Sequence, residues 1–277
     1  MIPYGTQQTL SILRSTSVGA YVGNESYEIL LPAKWVPADK NVGDTISVFI
    51  YKDAENRPIA TTLKPAIQLH QFACLRVKDV NDLGAFLDWG LEKDVLLPHR
   101  EQTRNLKSGD RQVVYLYLDE KTERLVVSAK INRFLNKEKA DYFTGTEVEI
   151  LPFETTPLGI NVIVNGQYKG LLYHSDVKDQ VRYGKPMRAF VREVREEGGL
   201  DISLDPLGLQ RLEEGAERIL KALDKHNGFL SLHDKSPAEL IEDTLGLSKK
   251  TFKRSVGTLL KQKLIALTEQ GIRDNRK

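Results

Sequence analysis

Nucleophiles, metal ligands and phosphate-cradling loops leave recognisable spacings, and this sequence carries few of them. Its five histidines, at 70, 99, 174, 226 and 233, show no metal-ligand spacing, and one cysteine, Cys74, is too few for the usual zinc sites. Cys74 lies in the apolar run FACLRV, where a buried and unreactive thiol is expected. Neither a glycine loop ending in Lys-Ser/Thr nor a GxSxG elbow occurs. The acidic pairs Glu196-Glu197 and Glu242-Asp243 fall in a turn and on a helix exterior. A metal-dependent nuclease needs carboxylates converging from separate strands, which sequence order leaves open. No catalytic residue, metal site or cofactor is expected, and the protein reads as a non-enzyme.

The chemistry the sequence does offer is cationic and aromatic. Lys249, Lys250, Lys253 and Arg254 cluster in a helical segment, with Lys261, Lys263 and Arg273 extending the patch. The N-terminal turn of a helix prefers acids, so macrodipole pairing does not explain the cluster. Contact with a phosphate backbone is one reading; a solvated face balancing the acids of AELIEDT is the other. Net charge is only +2, but residues 211 to 277 hold 14 Lys+Arg against 10 Asp+Glu, while the rest of the chain holds 26 against 28.

These groups sit in a chain of 277 residues, long enough for several small domains. With 40% hydrophobic and 28% charged residues it has the composition of a soluble globular protein. No apolar run approaches the roughly eighteen residues of a membrane helix. MIPYGTQQTL lacks a signal pattern, so a cytoplasmic protein with no membrane partner is expected.

Positioning comes from a unit written three times. GAYVGNESYEILLP (19–32), GAFLDWGLEKDVLLP (84–98) and GINVIVNGQYKGLLY (159–173) each give a glycine, a short strand, a polar turn and a strand with an apolar end. A second glycine follows at spacings of 24, 25 and 25 residues, at Gly43, Gly109 and Gly184, and opens another hairpin. An alternating run precedes each first glycine, so each unit offers five short strands. Asn165-Gly166 suits a two-residue hairpin turn. Five antiparallel strands in this order suit a small closed barrel of the OB type, since closure removes exposed edges. Six residues past each second glycine stand Phe49, Tyr115 and Phe190. Alternation puts their neighbours inward, so these aromatics are expected to be exposed on the barrels, either stacking on bases or packing one domain on the next, with packing favoured.

The C-terminal region changes period. A helix from about Glu213 to Lys225 should end at Asn227-Gly228. A second starts with Ser236 as N-cap and Pro237 at the first helical position, ending near Gly246. Ser248 caps a third, with Phe252, Val256, Leu259, Leu260 and Leu264 along one side. LIALTEQGIR reads as a strand pair, completing a winged helix-turn-helix pattern.

The repeated pattern resembles the S1 RNA-binding domain, an OB-fold module, most fully at Gly84, Phe86, Gly109, Asp110, Asp119, Arg124, Ser128 and Lys130. Three such units and a winged helix, with SPAELIEDTLGLSKKTFKRSVGTLLKQKLI, resemble the conserved virulence factor B family of bacterial RNA-binding proteins. The resemblance implies a mainly β chain with an α-rich C-terminal domain. Its expected domains are OB barrels at 1–65, 68–135 and 142–206 and a winged helix at 211–277. It also implies a role in RNA binding and gene expression, with single-stranded RNA held on barrel faces. The pattern's aromatic falls at Tyr21 and Phe86, but at Asn161 in the third copy. Tyr173 stands where S1 domains place histidine, with His174 beside it; the other copies have Pro32 and Pro98, the latter followed by His99. The competing reading is a DNA-binding transcription regulator whose winged helix takes duplex nucleic acid. Docking on a ribosome or polymerase is a third.

Overall fold

A computed structural model describes residues 2–177, 181–261, 264–268 and 270–276. Each repeat forms a closed five-stranded barrel. The first comprises β1 (Gln7–Thr16), β2 (Gly19–Asn24), β3 (Tyr27–Pro32), β4 (Thr45–Lys52) and β5 (Pro58–Thr61), in the order β1-β2-β3-β5-β4. The second comprises β6 (Phe72–Asn81), β7 (Gly84–Asp88), β8 (Val95–Pro98), β9 (Arg111–Asp119) and β10 (Arg124–Ser128). The third comprises β11 (Glu147–Thr155), β12 (Gly159–Val164), β13 (Tyr168–Tyr173), β14 (Met187–Val194) and β15 (Leu200–Ser203). In the first two, a parallel pairing completes the closure, Leu30 with Ile59 and Leu96 with Val126.

The copies share a backbone skeleton that side chains alone do not reveal. The first strand of each carries a bulge, between Ile12 and Arg14, Val77 and Asp79, and Pro152 and Glu154. The carbonyl at the start of each bulge accepts the N–H of the second glycine, Gly43, Gly109 or Gly184, at 2.8 Å in all three. A bulge bends a strand and increases its twist, which a barrel of only five strands requires. The first glycine serves close approach: at Gly84 (φ 147°) a Cβ would lie 2.2 Å from the Leu97 carbonyl oxygen. Asn165 and Gly166 both take positive φ in the β12–β13 turn, as their types predict.

Strand alternation fills the interiors, with Ile12, Val22, Leu31, Val48 and Ile50 buried in the first barrel and Val77, Leu87, Leu97, Leu116 and Val127 in the second. Cys74 is half-buried, and burial pushes its thiol up; a Cβ on Gly184 would meet its Sγ at 2.2 Å.

The remaining elements are α1 (Pro206–Lys225), β16 (Phe229–Leu230), α2 (Ala238–Leu245), α3 (Lys249–Lys261), β17 (Ile265–Thr268) and β18 (Gly271–Asp274), with sheet order β16-β18-β17. Ile219, Leu223, Ile241, Phe252, Leu259, Ile265 and Ile272 form their core. Gly215 brings α1 against α3, where a Cβ would stand 2.4 Å from Ser255 Oγ. Three details depart from expectation. Helix α1 begins at Pro206, not Glu213, because proline suits a first turn. Strand β16 was hidden by its length of two residues. Pro237, not Ser236, is the N-cap of α2, and Ser236 Oγ instead accepts the His233 N–H at 3.0 Å. Ser248 Oγ accepts the Thr251 N–H at 3.2 Å, as expected of a cap.

Two compact units result: Met1–Glu138 with Glu149–Leu171 and Lys178–Met187, and Lys139–Val148 with Leu172–Val177 and Arg188–Lys277. Among the described residues, no helix is long and apolar enough to cross a membrane.

Candidate nucleic-acid interface

Most of the repeated motif residues hold the frame. The Lys107 N–H and the Arg104 guanidinium keep the Asp110 carboxyl below the usual carboxylate range, folding it onto its own turn. Asp119 accepts the Lys121 N–H at 3.0 Å within the β9–β10 hairpin. Ser128 Oγ donates to the buried Glu101 carboxylate at 2.6 Å. Subtracting these leaves Phe86, Arg124 and Lys130 as the motif side chains on a surface, and of the three Phe86 and Arg124 line one groove.

The aromatic position after the first glycine differs sharply among the copies. Its partner on the first strand is Arg14 opposite Tyr21, Asp79 opposite Phe86, and Glu154 opposite Asn161. In the first barrel, Arg14 lies 3.6 Å over the Tyr21 ring and forks onto Glu28, so a guanidinium occupies the place where a base would stack. In the third, Asn161 is buried and donates to Glu154 at 2.7 Å. Phe86 carries no such cover from Asp79 and lines a groove.

That groove has a volume of about 130 Å³ and joins both of the first two barrels. Phe86, Leu83 and Leu96 form its apolar wall, Tyr51 and Trp89 its base, and Lys52, Lys93 and Arg124 its cations. Register explains the convergence, since Phe86 pairs with Leu96 and Leu96 with Val126 across three adjacent strands. Lys93 Nζ donates to the Asp53 carbonyl at 2.8 Å, and Arg124 Nε to Asn56 at 3.3 Å, tying the second barrel to the first. Burial, with the Arg124 charge nearby, pulls the Lys93 ammonium below the usual lysine range. Asp94, the acid that lines the groove, is held by Lys78 at 2.8 Å, and Lys52 pairs with Glu123 outside the lining at 3.3 Å.

The other proposed binding residues stand elsewhere. His99 Nε2 contacts the Asn81 carbonyl at 2.9 Å, at the end of the barrel beside the β6–β7 turn. Tyr173 Oη is shared between Arg195 at 3.0 Å and Asp201 at 3.3 Å, a network internal to the third repeat. His174 is exposed and opens the short helix after β13.

Phe49 points out of its own barrel and packs one domain on the next, the favoured expectation, and it is fully buried instead of exposed because Trp89 of the second barrel meets it edge-on at 5.7 Å. Tyr115 and Phe190 remain half-exposed.

On α3, Lys250 and Lys253 are exposed and Lys249 half-exposed. Arg254 leaves the cluster: it pairs at 2.7 Å with Asp176 of the third repeat, a carboxylate that also takes Arg192 at 2.9 Å. Lys261 closes α3 and its side chain lies outside the described residues, as does Lys263.

Sequence reading missed Lys52, Lys93, Leu96 and Leu83 as groove residues. The first two meet only through docking of two barrels. Leu83 had a signal: Val18, Leu83 and Leu158 each precede a first glycine and are 59%, 65% and 58% exposed, a repeated exposed aliphatic at the same hairpin tip. On OB barrels the loop between the first two strands flanks the ligand face.

The S1 domain profile matches residues 4–63 and 71–130, and that of the CvfB-like winged helix domain matches residues 217–273. A Bacillus subtilis protein named YitL is 29% identical over 270 residues, covering 93% of this chain and 89% of the relative. Conserved virulence factor B of Staphylococcus aureus is 29% identical over 245 residues, covering 83% of this chain and 81% of the relative. A Streptococcus pneumoniae crystal structure, described as a multidomain protein with nucleic acid binding domains, is 25% identical and covers 98% of both chains, with a TM-score of 0.42.

Proposed function

We infer that this chain, which carries S1 domains and a CvfB-like winged helix domain and has conserved virulence factor B as a homologue over most of its length, binds single-stranded RNA without cleaving it and regulates expression in the cytoplasm. The observation that carries this reading is the Phe86 groove. An aromatic ring beside two leucines offers a stacking platform, and Lys52, Lys93 and Arg124 offer charge to the adjoining phosphates. Binding rather than hydrolysis fits these groups, because the groove's lining carboxylate, Asp94, is paired with Lys78 instead of being poised to hold a metal or activate water. The first barrel buttresses this site and adds Lys52 to it. The exposed lysines of α3 supply a second, weaker phosphate contact, and linking weak contacts raises the affinity of the whole.

The test is binding of the full chain to 20-nucleotide single-stranded RNA, single-stranded DNA and duplex DNA across a salt series, with cleavage followed in the same samples. The tightest binding is expected for RNA, with affinity falling steeply as salt rises. Phe86→Ala should weaken RNA binding by roughly 5- to 150-fold, the range for one stacking contact. Preference for duplex DNA would transfer the function to the winged helix. RNA cleavage, or a Phe86→Ala variant that binds normally, would overturn the reading.

A further inference from the structure

A second aromatic cluster lies on another face of the second barrel, on β6 and β9 instead of β7 and β8. Tyr115 and Phe134 stack with centroids 4.1 Å apart and planes at 19°, Phe72 abuts Tyr115 at 4.7 Å, and Tyr117 meets Phe134 at 5.6 Å. All four rings are only partly buried. The contrast with the first repeat is informative: Phe49, at the position of Tyr115, is sealed by Trp89, whereas Tyr115 opens onto a pocket of about 290 Å³. That pocket is lined by His70, Tyr115, Arg133, Phe134, Asn136 and Gln167, the last from the β12–β13 turn, which is anchored there by the Asn136 N–H on the Gln167 carbonyl at 2.8 Å.

Its chemistry is that of a planar, hydrogen-bonding ring joined to an anion. The aromatic wall supplies π surface, the side-chain amides of Asn136 and Gln167 supply donors and acceptors, and Arg133, whose guanidinium carbon lies 5.2 Å from the Phe134 centroid, supplies positive charge. His70 is exposed yet holds φ 65°, with Nδ1 3.1 Å from Tyr115 Oη. The His70 N–H donates to the Leu116 carbonyl at 2.9 Å, so this left-handed turn is fixed and holds the exposed ring beside Tyr115 at the pocket's rim.

We propose that this pocket holds a second nucleobase of the same single strand, with Arg133 on its phosphate and His70, Asn136 and Gln167 around its polar edge. This rests on the RNA-binding reading and adds to it a site outside the usual S1 face, at which the second barrel grips RNA twice.

The experiment uses the full chain and a 20-nucleotide RNA containing 4-thiouridine. After irradiation and digestion, crosslinks are expected on peptides containing His70, Tyr115 or Phe134 as well as Phe86. His70→Gly relieves the positive φ, so it removes the ring while favouring the backbone; Gln167→Ala changes an exposed side chain and keeps the carbonyl that anchors the turn. Each should weaken RNA binding, and together by about fivefold, the lower end for a stacking contact. Should wild type bind RNA and Phe86→Ala weaken it, while both pocket variants bind as wild type and no crosslink maps to the pocket, the proposal is wrong and the RNA-binding reading stands. No RNA binding by wild type would remove both.

Discussion

Tyr115 stands directly across its hairpin from Ser128, and the same register places Phe49 opposite Thr61 and Phe190 opposite Ser203. In each repeat the hydroxyl then accepts the N–H two residues on, from Leu63, Lys130 or Asp205, at 3.1 to 3.2 Å. The pair thus joins a fixed turn on one strand to a variable aromatic surface on the other.

Ser128 differs from its two counterparts in that its Oγ donates to a buried carboxylate, that of Glu101, which is only 6% exposed. Ser128→Ala leaves that buried oxygen short of a donor and should destabilise the chain by about 2 kcal/mol. Urea unfolding reads the loss, and RNA affinity of the folded variant should not change. A cost below about 0.5 kcal/mol would show that Arg133, at 3.6 Å, suffices for Glu101.

Phe49→Ala removes a fully buried ring from the junction of the first two barrels and should cost about 3 to 5 kcal/mol. Because Trp89, whose indole N–H donates to the Lys93 carbonyl at 2.6 Å, then loses its edge contact, Lys93 loses part of its support as well. RNA binding should fall even though Phe49 touches no groove residue's charged end. Unaltered unfolding would place the contact outside the stable core.

Alkaline pH tests the same junction. Burial pushes Tyr51, which is 5% exposed, up to about 12 from its ordinary 10.0. The unfolded tyrosine ionises first, so this stabilising contribution is complete below pH 10 and is lost as pH rises through 12. Lys93, shifted downward, acts oppositely: its penalty for being charged fades as pH rises towards 10.5. Wild type should therefore lose on the order of 2 kcal/mol between pH 9.5 and 12 relative to Tyr51→Phe, measured by denaturant midpoints. Parallel curves for the two proteins would refute the assignment.

The α3 lysines should act through charge alone. Combined Lys250→Ala and Lys253→Ala should weaken RNA binding and reduce the slope of log affinity against log salt by about one to two. Arg254→Ala should leave the slope nearly unchanged, since Arg254 is engaged by Asp176, and should instead lower stability. Equal slope changes for all three would return Arg254 to the phosphate-binding group.

The barrels were legible in the sequence because a glycine that must accept a carbonyl at its Cβ position, and a strand of period two, leave residue-level marks. Gly84 and the inward run of Leu87 and Leu97 are such marks. The site was half legible. Phe86 is found by its place after Gly84, but the cover on Tyr21 depends on Arg14, whose position opposite it is set by a bulge that residue spacing does not show. Lys52 and Lys93 lie 41 residues apart and become neighbours only when one barrel docks on another. The burial of Phe49 has the same origin: alternation correctly turns it away from its own interior, and a tertiary contact then removes it from water.

The hydrogen bond from each second glycine to its bulge is made entirely by backbone atoms, as are the strand pairings around it. A fold held this way sets few conditions on outward side chains, so each copy can carry a different residue at the same outward position. One platform was capped by arginine, one became a buried amide, and one stayed open. Descendants of such a chain should preserve their skeleton while exchanging the nucleotides they prefer, and drift at the platform positions should outpace drift at the glycines.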